Sequence, residues 1–240
     1  RTVGLTTVAT STLPWSWVAA QDTTKPQKIL YYTRSTGYEH SAVHRENGEL
    51  SVSEKALIAL GKRAGFEVTC TKDGRVFDSD LDQYDAFAFY SCGNQCVVGK
   101  RPENEPMTPE GKQRLLDAVA AGKGFIGFHS AADTFHSGRE IDPYVAMVGG
   151  EFMGHGTQQP GRLEITSPDF PGLEESQGKD AVTIEREEWY TFRNFGRDLH
   201  VILVQDTEAL KKEHKQDQFL QSRPPFPQTW ARKEGQGRVF

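Results

Sequence analysis

Residues 124–131 read Gly-Phe-Ile-Gly-Phe-His-Ser-Ala, and this stretch decides the predicted fold. A short apolar run that ends in His129 and two small residues is typical of a buried parallel strand that delivers a polar side chain to the carboxyl edge of a sheet. Residues 109–121, just before it, have the apolar spacing of a helix, with Thr108 as N-cap and Pro109 at the first position. Together they predict a helix–strand unit with a reactive histidine at its tip.

Strands and helices alternate through the first half of the sequence. Strands are predicted at residues 28–32, 66–70, 85–90 and 125–128, with helices at 50–64 and 109–121. Helices of this length between strands imply a parallel sheet with right-handed crossovers. After a short helix, the second half has strand-like alternation at residues 162–166, 181–187 and 200–204. We therefore predict an α/β fold, a parallel sheet flanked by helices, with a β-rich extension in the second half.

The two ends of the sequence differ from the predicted domain. Residues 1–21 contain a mildly apolar, uncharged run that closes with small residues, the pattern of an export signal. The alternative is an unstructured N-terminal tail. If the segment is an export signal, the protein is expected to be periplasmic or extracellular. Residues 237–240 read as the middle of a strand, so we expect a single domain over residues 26–240 that is truncated at its C-terminus.

Composition excludes several classes of partner. The chain has 240 residues, a net charge of −5 and no dense cluster of Lys and Arg, so nucleic acid is not expected. No nucleotide cofactor is expected. The N-terminal run is too rich in Thr and Ser to span a membrane, and Pro14 interrupts it. Cys92 and Cys96 are spaced to close a small disulfide loop in an oxidising compartment. The oligomeric state stays open.

Three of the seven histidines follow predicted strands or turns in glycine-containing loops: His40, His129 and His155. Loops after parallel strands converge on one edge of a sheet, so we expect His40 and His129 to approach each other. An imidazole acts as an acid, a base or a metal ligand near neutral pH. We predict that the three share a site, which with a carboxylate suits a divalent metal such as zinc or manganese. A structural or solvent-exposed role is the alternative for each histidine alone.

A second candidate group consists of two carboxylates and two aromatic residues in sequence: Glu187, Glu188, Trp189 and Tyr190. Carboxylates beside aromatic rings suit acid–base catalysis or sugar binding. We assign Glu188 to catalysis and Trp189 and Tyr190 to substrate binding, and we interpret Glu187 as a solvated charge. Asp133 is a further candidate, to orient an imidazole, bind a metal or contact the substrate, with a turn or N-cap role as its alternative.

Five segments of the sequence resemble the trehalose-utilisation, or ThuA-like, family: residues 36–40 (TGYEH), 124–133 (GFIGFHSAAD), 148–155 (VGGEFMGH), 187–194 (EEWYTFRN) and 230–240. The resemblance runs from residue 28 to residue 240 and implies a flavodoxin-like fold of the class I glutamine amidotransferase type. It also implies a role in carbohydrate catabolism, on trehalose-like disaccharides, their 3-keto derivatives or related glycosides. By this resemblance, His40, His129, His155 and Glu188 lie in segments that line the pocket, with Tyr190 beside it.

The resemblance also bears on the chemistry. His129 stands where amidotransferases of this fold carry a nucleophilic cysteine, so glutamine hydrolysis by a thiolate is excluded. The leading hypothesis is an exported sugar-processing hydrolase, lyase or isomerase that uses His/carboxylate acid–base or metal-assisted chemistry on a small-molecule sugar. The rival is a non-catalytic carbohydrate-binding or scaffold module of the same fold, and a third hypothesis uses Ser130 as a nucleophile.

Two departures from the family pattern stand out. The family pattern continues to a Gly-His pair beyond residue 240. Residues 91–106 look like an insertion, which we expect to reshape the pocket rim or to form a lid.

Overall fold

The computed structural model of the protein describes residues 26–100, 104–208, 210, 219 and 226–240, so the expected export signal at residues 1–21 lies outside the described residues. Its strands are Gln27–Tyr32 (β1), Phe66–Thr71 (β2), Ala86–Phe89 (β3), Gly124–Gly127 (β4), Glu151–His155 (β5), Gln159–Ile165 (β6), Ala181–Glu187 (β7), Tyr190–Arg193 (β8), His200–Gln205 (β9), Phe226–Glu234 (β10) and Gly237–Val239 (β11). Its α-helices are Val52–Ala64 (α1), Pro109–Ala120 (α2) and Pro143–Val148 (α3). Short 3-10 helices span Ser41–Val43, Gly74–Asp78, His129–Asp133 and Glu174–Ser176.

Nine of the described strands form one sheet, in the order β2-β1-β3-β4-β11-β10-β9-β6-β7. The first five strands run parallel, with β11 in the fifth place of the 2-1-3-4-5 order that flavodoxin-like folds show. The remaining four pairings are antiparallel. The predicted α/β fold is therefore confirmed, and the β-rich extension continues the same sheet. β5 and β8 pair with each other in a separate antiparallel ribbon.

The helix ends follow from their capping residues. α1 begins with a capping box, because the Ser51 side chain accepts from the Glu54 backbone N–H while the Glu54 carboxylate accepts from the Ser51 backbone N–H. It ends at Gly65, whose φ of 82° lies in the left-handed region that glycine favours. α2 begins at Pro109 with Thr108 as its N-cap, as predicted. No helix within the described ranges has both the length and the apolarity needed to span a bilayer.

Aromatic rings pack the core between the parallel strands and the helices on one side. Phe89 of β3 lies 5.1 Å from Phe125 of β4 between ring centroids, and Tyr144 of α3 packs against both rings. All three side chains are buried, and burial of each contributes about 1.5–3 kcal/mol. This packing holds β3 and β4 rigidly, so the loops that leave their carboxyl ends start from defined positions.

All three cysteines are free thiols, so the structure does not contain the disulfide that the spacing of Cys92 and Cys96 allows. The Cys92 thiol instead donates a hydrogen bond to the Asp133 carboxylate at 2.9 Å, and burial raises its pKa to about 12. Buried Arg34 holds the segment that follows Cys92 against the end of β1. Its guanidinium donates to backbone carbonyls of Gln95, Val97 and Asn104.

Candidate functional site

Three side chains of the site follow parallel strands at the carboxyl edge of the sheet. His40 lies in the loop after β1, Tyr90 directly follows β3, and His129 follows β4 by two residues. β1 and β3 are neighbours in the sheet. In the 2-1-3-4-5 order, the crevice between these strands is where the connections change direction and where such folds bind ligands.

His129 has a backbone conformation that few non-glycine residues adopt. Its φ is 47°, in the left-handed region, at the first residue of a short 3-10 helix. The chain before it is held by a hydrogen bond from the Phe128 N–H to the Phe89 carbonyl at 2.8 Å. A side chain in this conformation costs about 1–3 kcal/mol, and such strain clusters at functional sites. The sharp turn presents the imidazole at the end of β4.

The second half of the chain reaches this edge through the β5–β8 ribbon. His155, the last residue of β5, pairs directly with Tyr190, the first residue of β8. Their rings are stacked with centroids 5.9 Å apart, and the Tyr190 ring also stacks on His129 at 4.5 Å. The Tyr190 hydroxyl lies 3.0 Å from Nε2 of His129. Glu188 comes from the short connection between β7 and β8.

The structure brings the four predicted catalytic residues together. Nε2 of His40 lies 3.1 Å from Nε2 of His129. Oε2 of Glu188 lies 3.4 Å from Nε2 of His129, 3.7 Å from Nε2 of His40 and 3.7 Å from Nε2 of His155. The ligand atoms of His40, His129 and Glu188 all lie within 4.8 Å of one another. We call these three residues the imidazole–carboxylate cluster; Glu188 belongs to it, while His155, expected as the third metal ligand, lies at its edge.

Burial and mutual proximity set the charges in the cluster. Burial, together with the neighbouring His40, lowers the pKa of His129 to about 4. Burial also lowers the pKa of His40. Burial opposes ionisation of Glu188, but the hydrogen bond from Gln158 and the three imidazoles outweigh it and lower its pKa. At neutral pH the cluster therefore holds two neutral imidazoles and one ionised carboxylate.

These donor atoms fit a divalent cation. Neutral imidazole nitrogens and carboxylate oxygens are the protonation states that bind zinc or manganese. Ligands held at about 2.0–2.2 Å around zinc lie about 3.4 Å from one another in a tetrahedron. The three separations within the cluster, from 3.1 to 3.7 Å, bracket that value. His40, His129 and Glu188 are therefore the residues that would hold such an ion.

His155 has a defined tautomer at the edge of the cluster. Its Nδ1 lies 2.8 Å from the carbonyl oxygen of Gly156. A carbonyl only accepts hydrogen bonds, so Nδ1 carries a proton, and in the tautomer that this selects the lone pair is on Nε2. That nitrogen faces Glu188 and is a base or ligand directed towards the cluster.

Two residues that the sequence assigns to substrate binding, Trp189 and Asp133, form polar contacts with residues outside the cluster. Trp189 is 2% exposed, and its indole N–H donates to the carbonyl of Gln159 at 3.0 Å. The carboxylate of Asp133 accepts from the Cys92 thiol and lies 2.8 Å from Nε2 of His136. Tyr190 alone of the three assigned substrate-binding residues contacts the cluster.

Two tyrosines that are not among the candidates from the sequence, Tyr38 and Tyr90, lie beside the cluster. The Tyr90 ring lies 5.7 Å from His40 and 5.6 Å from His129 between centroids. The Tyr38 ring lies 4.9 Å from His40 and is 68% exposed. The sequence does carry a signal for Tyr90, because Tyr90 follows β3 at the same sheet edge at which His129 follows β4. Tyr38 stands in a segment of the family pattern and carries no other mark of a site residue.

A cavity of about 460 Å³ opens beside the cluster. His129, Glu188 and Tyr190 contribute polar groups to its lining, and Phe170 and Leu203 are among its many apolar residues. Cavities that bind small molecules measure about 300–1,000 Å³. The cluster therefore adjoins a space large enough for a small organic ligand.

The 2-1-3-4-5 order of the parallel strands is flavodoxin-like, and the class I glutamine amidotransferase-like fold is of this type. The family described as ThuA, trehalose utilisation, matches residues 28–240, and the chain belongs to this family. A comparison with curated proteins gives no match.

Solved structures agree on the fold. A ThuA-like protein from Bacteroides uniformis has 19% identity, covers 92% of this chain and 84% of its own, and gives a TM-score of 0.64. A ThuA-like protein from Parabacteroides merdae has 17% identity over 90% of this chain and 78% of its own, with a TM-score of 0.55. A cytoplasmic protein from Salmonella typhimurium has 10% identity over 88% and 85%, with a TM-score of 0.53. At these identities the likeness shows the fold alone.

Proposed function

We propose that this protein is an exported sugar-processing enzyme whose chemistry takes place at the imidazole–carboxylate cluster. Its substrates would be trehalose-like disaccharides, 3-keto-glycosides or related sugars, in line with the trehalose utilisation for which the family is named. The observation that carries the proposal is the convergence of Nε2 of His40, Nε2 of His129 and Oε2 of Glu188 within 4.8 Å. The export signal proposed at residues 1–21 supports a location outside the cytoplasm.

The cluster would hold a zinc or manganese ion. Such an ion, when bound, polarises a carbonyl oxygen and lowers the pKa of a bound water. His40, His129 and Glu188 supply its ligands in the protonation states that metal binding requires. The strained turn at His129 and the packed strands behind it hold these ligands in place, so little ordering is needed when an ion binds.

The remaining side chains supply acid–base chemistry. A keto group acidifies the neighbouring C–H of a sugar, and a base near neutral pH is enough to remove that proton. His155 takes the proton on Nε2, since its Nδ1–H is held by the Gly156 carbonyl. The electron pair of the C–H bond forms a C=C bond, and the π pair of the carbonyl moves to the keto oxygen. Isomerisation results when the hydroxyl on the deprotonated carbon passes its proton to that oxygen and the protonated His155 returns a proton to the former carbonyl carbon. Elimination results when the enolate re-forms the carbonyl and expels a β-oxygen substituent, which leaves with the proton from His155.

Metal content and turnover test this proposal together. The full-length protein is purified with zinc or manganese, its metal is quantified, and turnover of trehalose and 3-keto-trehalose is measured. The variants are His129→Ala and Glu188→Gln, with Gln113→Ala as the control because Gln113 lies on the exposed face of α2 and bonds Asp117.

The expected result is about one equivalent of metal in the wild type and the control, and loss of both metal and turnover in the two cluster variants. Turnover that survives His129→Ala would remove the cluster from the mechanism. Trehalose binding without turnover, unchanged by His129→Ala, would instead favour a non-catalytic carbohydrate-binding module.

A further inference from the structure

We propose that Gln158 and Arg186 are positioning residues that present one oxygen of Glu188, and only one, to the imidazoles. Nε2 of Gln158 donates to Oε1 of Glu188 at 3.0 Å. Nε of Arg186 donates to Oε1 of Gln158 at 2.7 Å. This inference rests on the proposed function, because the role of these residues is defined by what Glu188 does in the cluster.

The orientation of the Gln158 amide follows from its partners. A guanidinium has only donors, so the oxygen of the amide must face Arg186 and its nitrogen must face Glu188. The positive charge of Arg186 also polarises the amide and makes its N–H a stronger donor to the carboxylate. We call these two hydrogen bonds the relay; the donors run in one direction, from Arg186 to Gln158 and from Gln158 to Glu188.

The register of two antiparallel strands brings the relay together. Gln159, the first residue of β6, pairs with Glu187, the last residue of β7. Gln158 and Arg186 flank this pair, and Glu188 follows it directly. A shift of the register by one residue would place the Gln158 side chain on the other face of the sheet, away from Glu188.

The relay leaves the two oxygens of Glu188 with different tasks. Oε1 accepts from Gln158, while Oε2 lies within 3.7 Å of Nε2 of His40, His129 and His155. A carboxylate held in this way binds an ion through one oxygen and leaves a further coordination position for water or substrate. Catalytic metal sites keep such an open position.

Surface exposure makes the relay accessible to a clean test. Gln158 and Arg186 are both exposed, so their replacement leaves the core intact. Competition with water weakens bonds at the surface, and we expect the low end of the 10–100-fold effect that outer-shell partners have on metal affinity.

The test compares Gln158→Ala and Arg186→Met with Gln113→Ala, a control on the exposed face of α2 where Gln113 bonds only Asp117 among described contacts. Zinc affinity is measured by competition with a chromophoric chelator, and coordination by the visible spectrum of the cobalt-loaded protein. We expect about 10-fold weaker zinc binding in Gln158→Ala, a smaller loss in Arg186→Met and none in the control. The cobalt absorption of Gln158→Ala should weaken as the released oxygen joins the coordination, while its melting temperature stays unchanged.

Zinc affinity and a cobalt spectrum in Gln158→Ala equal to those of the wild type would overturn the positioning role. The proposed function would survive that result if His129→Ala still abolishes metal binding and turnover. A wild-type protein that binds neither zinc nor cobalt would overturn the positioning role and the proposed metal-dependent function together, since the positioning role is defined by the ion.

Discussion

Gly161 of β6 lies against the indole ring of Trp189, and its replacement by alanine tests whether Trp189 is a packing residue. A Cβ at this position would lie 2.2 Å from Cζ2 and 2.4 Å from Cε2 of Trp189. The ring cannot simply move away, because Trp189 is 2% exposed and donates to the carbonyl of Gln159. Either the indole or the backbone of β6 must shift.

The expected cost combines two effects. Forcing an extra methyl group into a packed core costs about 1–3 kcal/mol. A shift that breaks the indole hydrogen bond leaves a buried donor, at a further cost of about 1–3 kcal/mol. The lower chain entropy of alanine in the unfolded state offsets about 0.4–1 kcal/mol. We expect Gly161→Ala to lower the free energy of unfolding by about 2–4 kcal/mol.

Urea unfolding followed by far-ultraviolet circular dichroism measures this change. Gly138→Ala is the control, because a Cβ at Gly138 would meet nothing within 4 Å. Removing the colliding ring atoms with Trp189→Phe should make the double variant less destabilised than the sum of the single changes. An unfolding curve of Gly161→Ala that coincides with that of Gly138→Ala would refute this account of Trp189.

Three further results are expected. Burial alone would raise the pKa of Glu151, but its hydrogen bonds, chiefly from Arg193, lower that pKa to about 2. The stability that Glu151 contributes is therefore present above about pH 4.5 and lost as the pH falls towards about 2. In unfolding measured at several pH values, Glu151→Gln should have a lower free energy of unfolding than the wild type at pH 7 and should lose less of it between those pH values. Parallel plots of the free energy of unfolding against pH for the two proteins would contradict this. Titration of the denatured, unreduced protein with a thiol reagent should find three thiols per chain, and a count of one would show a disulfide. Tyr38→Ala should raise KM for a keto-sugar about 3–10-fold with little change in kcat, because an exposed ring beside His40 would stack on the substrate and not transfer a proton. A fall in kcat alone would instead show that Tyr38 takes part in the chemical step.

The first half of the fold was predictable because its signals act over a few residues. The predicted helix at 50–64 is observed at Val52–Ala64, between the Ser51 capping box and Gly65. The predicted strand at 85–90 is observed at Ala86–Phe89. Apolar spacing and capping residues depend on near neighbours in the chain, so the sequence displays them directly.

Half of the candidate site followed from one rule of parallel sheets. His40 and His129 come after strands whose carboxyl ends share an edge, and the structure places their Nε2 atoms 3.1 Å apart. The same rule would have included Tyr90, which follows β3. The rule holds without knowledge of side-chain packing, because strand direction alone determines which loops meet.

The amino-acid sequence by itself determined the alternation of strands and helices, the sheet edge at which His40 and His129 meet, and the family. Only the tertiary structure decided which oxygen of Glu188 faces the imidazoles, that Trp189 packs against Gly161, and that Cys92 bonds Asp133 and not Cys96. The first two outcomes depend on the pairing of β6 with β7 and of β5 with β8, and the third depends on the pairing of β3 with β4; in each case the partner residues lie far apart in the chain. Each polar side chain there had several possible partners, and the register of the strands, which no local pattern records, selected among them.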